Sequence, residues 1–211
     1  MRPRFGVVSF AMNSTSTSDP VAKVLLPVLV HEVNNTTQLL VGLRALLDIP
    51  GGEALFAERT DDLARASQRM DELGFALAVL ATANGSNMLL ARRDERAIRI
   101  LWQLAIQSLE RSGEAQVAVS GEPPLMASSA LNGWQLPWSA AAVLLVASEA
   151  AGVDAWRWRW DEGGRLIGRC ASGNGASETM FAAIAERVPG VSITHENDAL
   201  TWSVPDSMLR R

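Results

Sequence analysis

Two histidines occur in the 211-residue chain, and one of them, His31, sits beside a carboxylate and two amides in the run His31-Glu32-Val33-Asn34-Asn35. An imidazole titrates near neutrality and is nucleophilic when neutral, so it can attack a phosphoryl group. A neighbouring carboxylate such as Glu32 can hold one ring nitrogen protonated while the other keeps its lone pair. Asn35 lies one helical turn beyond His31, where its amide can orient a water or a phosphoryl acceptor. The competing reading is an ordinary surface histidine on a helix. A zinc-protease motif is excluded, because it needs a second histidine four residues after the first and position 35 is Asn. With His195 the only other histidine, a His-rich metal site is not available either.

The element carrying His31 is predicted as a helix from about Asp19 to Ile49. Asp19 is a suitable N-cap, Pro20 suits the first helical position, and Pro50-Gly51-Gly52 stops the helix and turns the chain. Leu26, Val33, Leu40 and Leu47 recur every seven residues, with Leu29, Thr36 and Leu43 as the companion stripe. His31 falls away from that seam, in line with Val24, Gln38 and Ala45. A second helix is predicted from about Glu53 to Ala83, its seam formed by Phe56, Leu63, Met70 and Leu77 with Ala66, Leu73 and Leu80, and with Arg59 as the polar exception. Two such helices joined by a tight turn imply an antiparallel hairpin. One hairpin cannot enclose a full core, so two should pair into a four-helix bundle, which predicts a homodimer.

Beyond residue 86 the pattern changes. A helix is expected over Asp94–Ser112, a strand over Gln116–Ser120, and a helix over Pro137–Ala151. Strands Asp154–Trp160 and Arg165–Ala171 flank the turn signal Glu162-Gly163-Gly164. A helix over Ser177–Val188 and strands Val191–Thr194 and Leu200–Val204 complete the chain. The fold class is therefore α+β, with a helical hairpin followed by a small α/β sandwich. The expected divisions are a loosely docked tail over 1–18, a hairpin over 19–85 and an α/β domain over 86–211. Trp156, Trp158 and Trp160 alternate with Arg157 and Arg159, which gives one strand an aromatic face, read as core, and a cationic face. Arg92, Arg93, Arg96 and Arg99 are read as a solvated helix start, to which an acidic partner would be attracted.

Composition narrows the classes. Hydrophobic residues make up 48% and charged residues 20%, so a packed core is expected. A net charge of −4 and a pI near 5.3 argue against nucleic acid as the main partner. One cysteine, Cys170, fits a reducing compartment and is read as a buried, inert thiol. No apolar stretch reaches the length of a membrane span, so neither a membrane partner nor a location other than the cytoplasm is expected.

His31-Glu32-Val33-Asn34-Asn35, followed by Leu39-Leu40, resembles the phosphoacceptor box of bacterial sensor histidine kinases. The resemblance implies that His31 is phosphorylated, that Glu32 assists transfer, and that Asn35 supports dephosphorylation of a partner. The family often has proline after the last Asn; this chain has Thr36 there and Pro27 one turn before His31, where it frees the carbonyl of Lys23 and can bend the helix. Val143-Leu144-Leu145-Val146-Ala147-Ser148-Glu149-Ala150 resembles the helix of the kinase ATP-binding domain that carries a magnesium-holding asparagine, a position filled here by Val146. Ala171-Ser172-Gly173-Asn174-Gly175 resembles its first glycine box, with Ala171 in place of the adenine-recognising aspartate. Between Gly175 and Val191 there is room for little more than one helix, and none for a lid and second glycine box.

The chain thus resembles histidine phosphotransferases descended from sensor kinases, with a degenerate ATPase-like domain. That resemblance implies a phosphotransferase of a two-component phosphorelay that is not an autokinase and itself binds no cofactor. Its partners would be response-regulator receiver domains, which supply their own Mg2+, and an upstream hybrid kinase. Asn34 and Gln38 would contact the docked receiver. The alternatives are a response-regulator phosphatase working through Asn35, and a non-catalytic pseudokinase scaffold.

Overall fold

The computed structural model describes residues 19–86, 94–112, 116–131, 133–171, 178–196 and 198–210. The first helix, α1 (Pro20–Ala45), begins where the sequence places it: Asp19 Oδ1 accepts the backbone N–H of Val21 at 3.0 Å, with proline at the first helical positions. Pro27 lies inside α1 without ending it. The helix stops at Ala45, short of the expected Ile49, because the chain tightens into a 3-10 turn over Leu46–Asp48 and then extends at Ile49. Gly51 takes a positive φ of 75°, and a Cβ on Gly52 would meet the Leu46 carbonyl oxygen, so the Gly51-Gly52 pair is what lets the chain reverse here.

The second predicted helix is two. α2 (Gly52–Glu58) ends at Arg59, and α3 (Thr60–Ala83) starts afresh. Arg59 leaves helical geometry at φ −104°, ψ 16°, and the Thr60 hydroxyl donates to the Ala57 carbonyl at 2.8 Å. A short polar side chain competing for backbone groups ends the first piece. α4 (Ala97–Ser112) and α5 (Gln135–Ala151) follow, then α6 (Glu178–Arg187). Among the described residues no helix is long and apolar enough to cross a membrane.

Five strands form one mixed sheet: β1 (Ala118–Ser120), β2 (Trp156–Trp160), β3 (Leu166–Cys170), β4 (Ser192–Glu196) and β5 (Ala199–Ser203), in the order β1-β2-β3-β5-β4. β1 runs parallel to β2 and the other pairs are antiparallel. The protein is α+β, and helices cover one face of the sheet. Trp156, Trp158, Trp160, Leu166, Cys170, Leu200 and Trp202 are buried on that face, and the tryptophans interlock. Trp102 from α4 meets Trp158 and Trp160 edge-on with ring centroids 6.1 and 5.3 Å apart, and Trp160 meets Trp202 at 5.7 Å. Trp158 lies against Gly168 so closely that a Cβ there would come within 2.5 Å of the ring, so glycine is obligatory at that point of β3.

The core is continuous across residue 86, running from Val21, Leu25 and Leu29 of α1 through Leu73 and Leu80 of α3 to α4, the wholly buried middle of α5, and the sheet. Asp19 ties these layers. Its buried carboxylate accepts from Trp138 Nε1 of α5 at 3.0 Å and from Asn84 Nδ2 at the end of α3 at 3.3 Å, and it pairs with Arg187 of α6 at 3.7 Å. Arg187 also donates to the Ala83 carbonyl and stands 4.5 Å over the Trp138 ring. Removing one member of such a set leaves buried donors and a cation without a partner. Asp19→Ala is expected to lower stability by about 3 kcal/mol, read as a drop in the urea midpoint, with Asp19→Asn recovering part of the loss.

Candidate functional site

α1 presents two faces. The stripe Leu29, Thr36 and Leu43 is buried, as are Ala66, Leu73 and Leu80 of α3. The seam beside it is covered only in part: Val33 and Leu40 are half-buried, while Leu26 is 43% exposed, Leu47 49% and, on α3, Leu77 38%. His31, Asn34, Asn35 and Gln38 are all exposed. Their offsets of three, four and seven residues put them along one side of the helix. The sequence-predicted polar group is therefore brought together on one accessible strip, and the Thr36 hydroxyl beside it is occupied by the Glu32 carbonyl at 2.8 Å.

His31 stands at the edge of a cleft of about 850 Å³ between α1, α4 and the end of α5. Val24, Pro27 and Val28 line it from α1, Ser108, Leu109 and Arg111 from α4, and Leu145, Ser148, Glu149 and Gly152 from α5 and its end. The walls are mainly apolar, and the charged groups that share the cleft with His31 are Arg111 and Glu149. Ser148 Oγ, buried at the cleft wall, has no hydrogen-bond partner among the described residues. The cleft was not legible in the sequence, since it needs three helices far apart in the chain to meet at one end.

Glu32 is committed elsewhere than to the His31 ring. Its Oε1 accepts from Arg111 at 2.6 Å and its Oε2 from Arg69 of α3 at 3.1 Å. Arg69 reaches on to Gln107 at 3.2 Å and Glu72 at 3.4 Å, and Glu72 lies 3.8 Å from Arg96. This chain of charges laces α1, α3 and α4 together and parks the Arg111 guanidinium at the cleft. Burial pushes the Glu32 carboxyl up, but the hydrogen bonds from Arg111 and Arg69 and their positive charges outweigh it and hold the group below its ordinary value. The signal available in sequence was a mid-helix glutamate between two seam positions; its partners lie 37 and 79 residues away.

The other candidate regions divide. Val146, the position aligned with the magnesium-holding asparagine, is 3% exposed within the core, and Ala171 is an exposed turn residue after β3. Residues 172–175 of the glycine-box resemblance lie outside the described residues, as do Arg92, Arg93 and the 1–18 tail. Arg96 and Arg99 have carboxylate partners in Asp94 and Glu122, at 3.3 Å each. Cys170 is buried. Among the described residues no group of three His, Cys, Asp or Glu side chains converges as metal ligands. Comparison with family models, with curated proteins and with solved structures yields no match.

A carboxylate held below its ordinary value stabilises the fold above its unfolded-state pKa, and that contribution is lost as pH falls through its folded value. Glu32→Gln is therefore expected to lower the melting temperature at pH 7. The gap to the wild type should close as pH falls below the ordinary glutamate range, which thermal melts across pH 3–7 would follow.

Proposed function

We propose that this chain is a cytoplasmic histidine phosphotransferase that passes phosphoryl groups between response-regulator receiver domains through His31. The observation that carries the reading is an exposed imidazole in mid-helix at the edge of a cleft shared with Arg111, a cation whose other donors have no protein acceptor among the described residues. A receiver charged by an upstream hybrid kinase docks across α1, contacting Asn34 and Gln38, and brings Mg2+ in its own acidic pocket. The unprotonated ring nitrogen of His31 attacks the aspartyl phosphorus in line. The P–O bond to the receiver breaks as the P–N bond forms, the aspartate leaves as a carboxylate, and the other ring nitrogen keeps its proton. The reverse steps hand the group to a second receiver.

Phosphoryl transfer asks a protein mainly for positioning and for compensation of negative charge. Arg111, anchored by Glu32, supplies a fixed positive charge beside the nucleophile. Glu32 then assists transfer by placing Arg111, instead of by polarising the ring itself; Glu149 is the carboxylate that shares the cleft with His31. No nucleotide is asked of this chain: the α5–sheet layer serves as a degenerate ATPase-like docking surface.

In the same reading α1–α3 form an antiparallel hairpin that doubles into a four-helix bundle. Support comes from the apolar positions of these helices that stay exposed in one protomer. Among the described residues the exposed large hydrophobics are Leu26, Val30, Leu39, Val41, Leu47, Ile49, Leu55 and Leu77, all within the first three helices and their turns. Such a concentration of apolar side chains marks an association surface.

Radiolabelled phosphate should move from a phosphorylated receiver to the wild type and not to His31→Ala. Label retained by His31→Ala would sink the assignment. Phosphate release that survives in His31→Ala and vanishes in Asn35→Ala would replace it with a phosphatase. Sedimentation should give twice the chain mass for the wild type and a monomer for Leu26→Lys combined with Leu77→Lys.

A further inference from the structure

The face of the sheet turned away from the helices carries three arginines with no carboxylate partner among the described residues. Strand alternation sends Trp156, Trp158 and Trp160 to the core and leaves Arg157 and Arg159 exposed. β3 adds Arg169, also exposed, and the half-buried Ile167. The register sets Arg157 directly opposite Arg169, Arg159 opposite Ile167, and Ser120 of β1 beside Arg159. Like charges directly opposite across an antiparallel pair repel. At least nine other arginines have a carboxylate within ion-pair distance. Arg157, Arg159 and Arg169 have none among the described residues. Glu196 is opposite Ala199, which is opposite Arg169, so this acid is two strands from the cluster, roughly 10 Å away.

The side chains enclose a depression of about 310 Å³ lined by Ser120, Arg157, Arg159, Ile167 and Arg169 together with Trp158. That is the size of a small-ligand site. The occupant can be argued from what this face offers. Its strand tryptophans are buried on the opposite side, so among the described residues no strand ring is presented for stacking nucleic-acid bases. Ile167 alone supplies little of the apolar centre that a protein interface needs. What remains is three planar guanidinium forks, close together and suited to bidentate contact with phosphate oxygens.

We propose that the open sheet face, through Arg157, Arg159 and Arg169, binds a small anion carrying two or more linked phosphoryl groups. The repulsion between facing arginines is relieved when the anion sits between them. This site is on the opposite side of the sheet from the helices that carry His31 and does not depend on the phosphotransfer reading.

Calorimetric titration of the whole protein with tripolyphosphate at low ionic strength should show saturable binding that weakens as salt is added. Arg169→Gln should weaken it by about tenfold or more, and Arg157→Gln with Arg169→Gln should abolish it. Arg44→Gln, which removes an exposed charge on α1, should leave it unchanged. The double lysine variant at 157 and 169 should bind more weakly than the wild type, because it keeps the charge and loses the forks. Without the anion, Arg169→Gln should melt higher than the wild type, since the facing charges no longer repel. Circular dichroism establishes that each variant is folded. Absence of saturable heat, or equal binding by the wild type and the folded double glutamine variant, overturns the proposal. Tighter binding of an oligouridylate or of an acidic peptide than of tripolyphosphate also overturns it.

Discussion

One buried carboxylate decides how α1 meets α3, α5 and α6. Asp19 caps α1, accepts from Trp138 of α5 and Asn84 after α3, and faces Arg187 of α6. A carboxylate out of water is costly unless it is paired and fully hydrogen-bonded, so these partners must arrive together. Apolar contact alone would tolerate sliding of α1 over α5 by a residue or more, because Leu, Val and Ala side chains impose no direction. A hydrogen-bonded ion pair has direction and length. It fixes where α1 begins relative to α3, α5 and α6, and every side chain further along α1 inherits that position.

The inheritance is visible at Glu32. Thirteen residues after Asp19, its two oxygens meet Arg69 from α3 and Arg111 from α4, so the same helix is pinned a second time. Between the pins, Leu25, Val28 and Leu29 fill the core, while His31, Asn34, Asn35 and Gln38 remain exposed to solvent. The cleft beside His31 is walled by α1, α4 and the end of α5, and Arg111 stands at it with Glu32 as its partner. A structural ion-pair network thus sets the electrostatics next to the one exposed imidazole. The two roles need not be separate: a tether that costs little on a rigid helix pair keeps a cation in place for an anionic visitor.

Local rules carried much of the reading. Asp19-Pro20 announced the start of α1, the glycines at 51 and 52 announced the turn, and the Trp/Arg alternation of residues 156–160 announced a strand with one buried face. Each works because the cause lies within a few residues: a cap, a φ angle, a period of two. Helix ends were less legible. The stop at Ala45 and the break at Arg59 come from a 3-10 tightening and a threonine back-bond, weak local competitors that a heptad count overlooks. The seams were found as two stripes per helix, yet their burial differs. Leu29 and Leu73 are enclosed while Leu26 and Leu77 stay open, because a pair of helices can cover only one stripe of each.

From the sequence alone came the α+β class, the heptad helices, the tryptophan face and the polar strip around His31, all of them consequences of neighbours within one or two turns. Only the tertiary structure decided that Glu32 serves Arg69 and Arg111, that Asp19 is a four-element junction as well as a cap, and that three arginines meet on one face of the sheet with no carboxylate partner among the described residues. Those outcomes join residues tens to more than a hundred positions apart. Side-chain chemistry states what each group needs, and chain folding alone settles which distant partner is near enough to supply it.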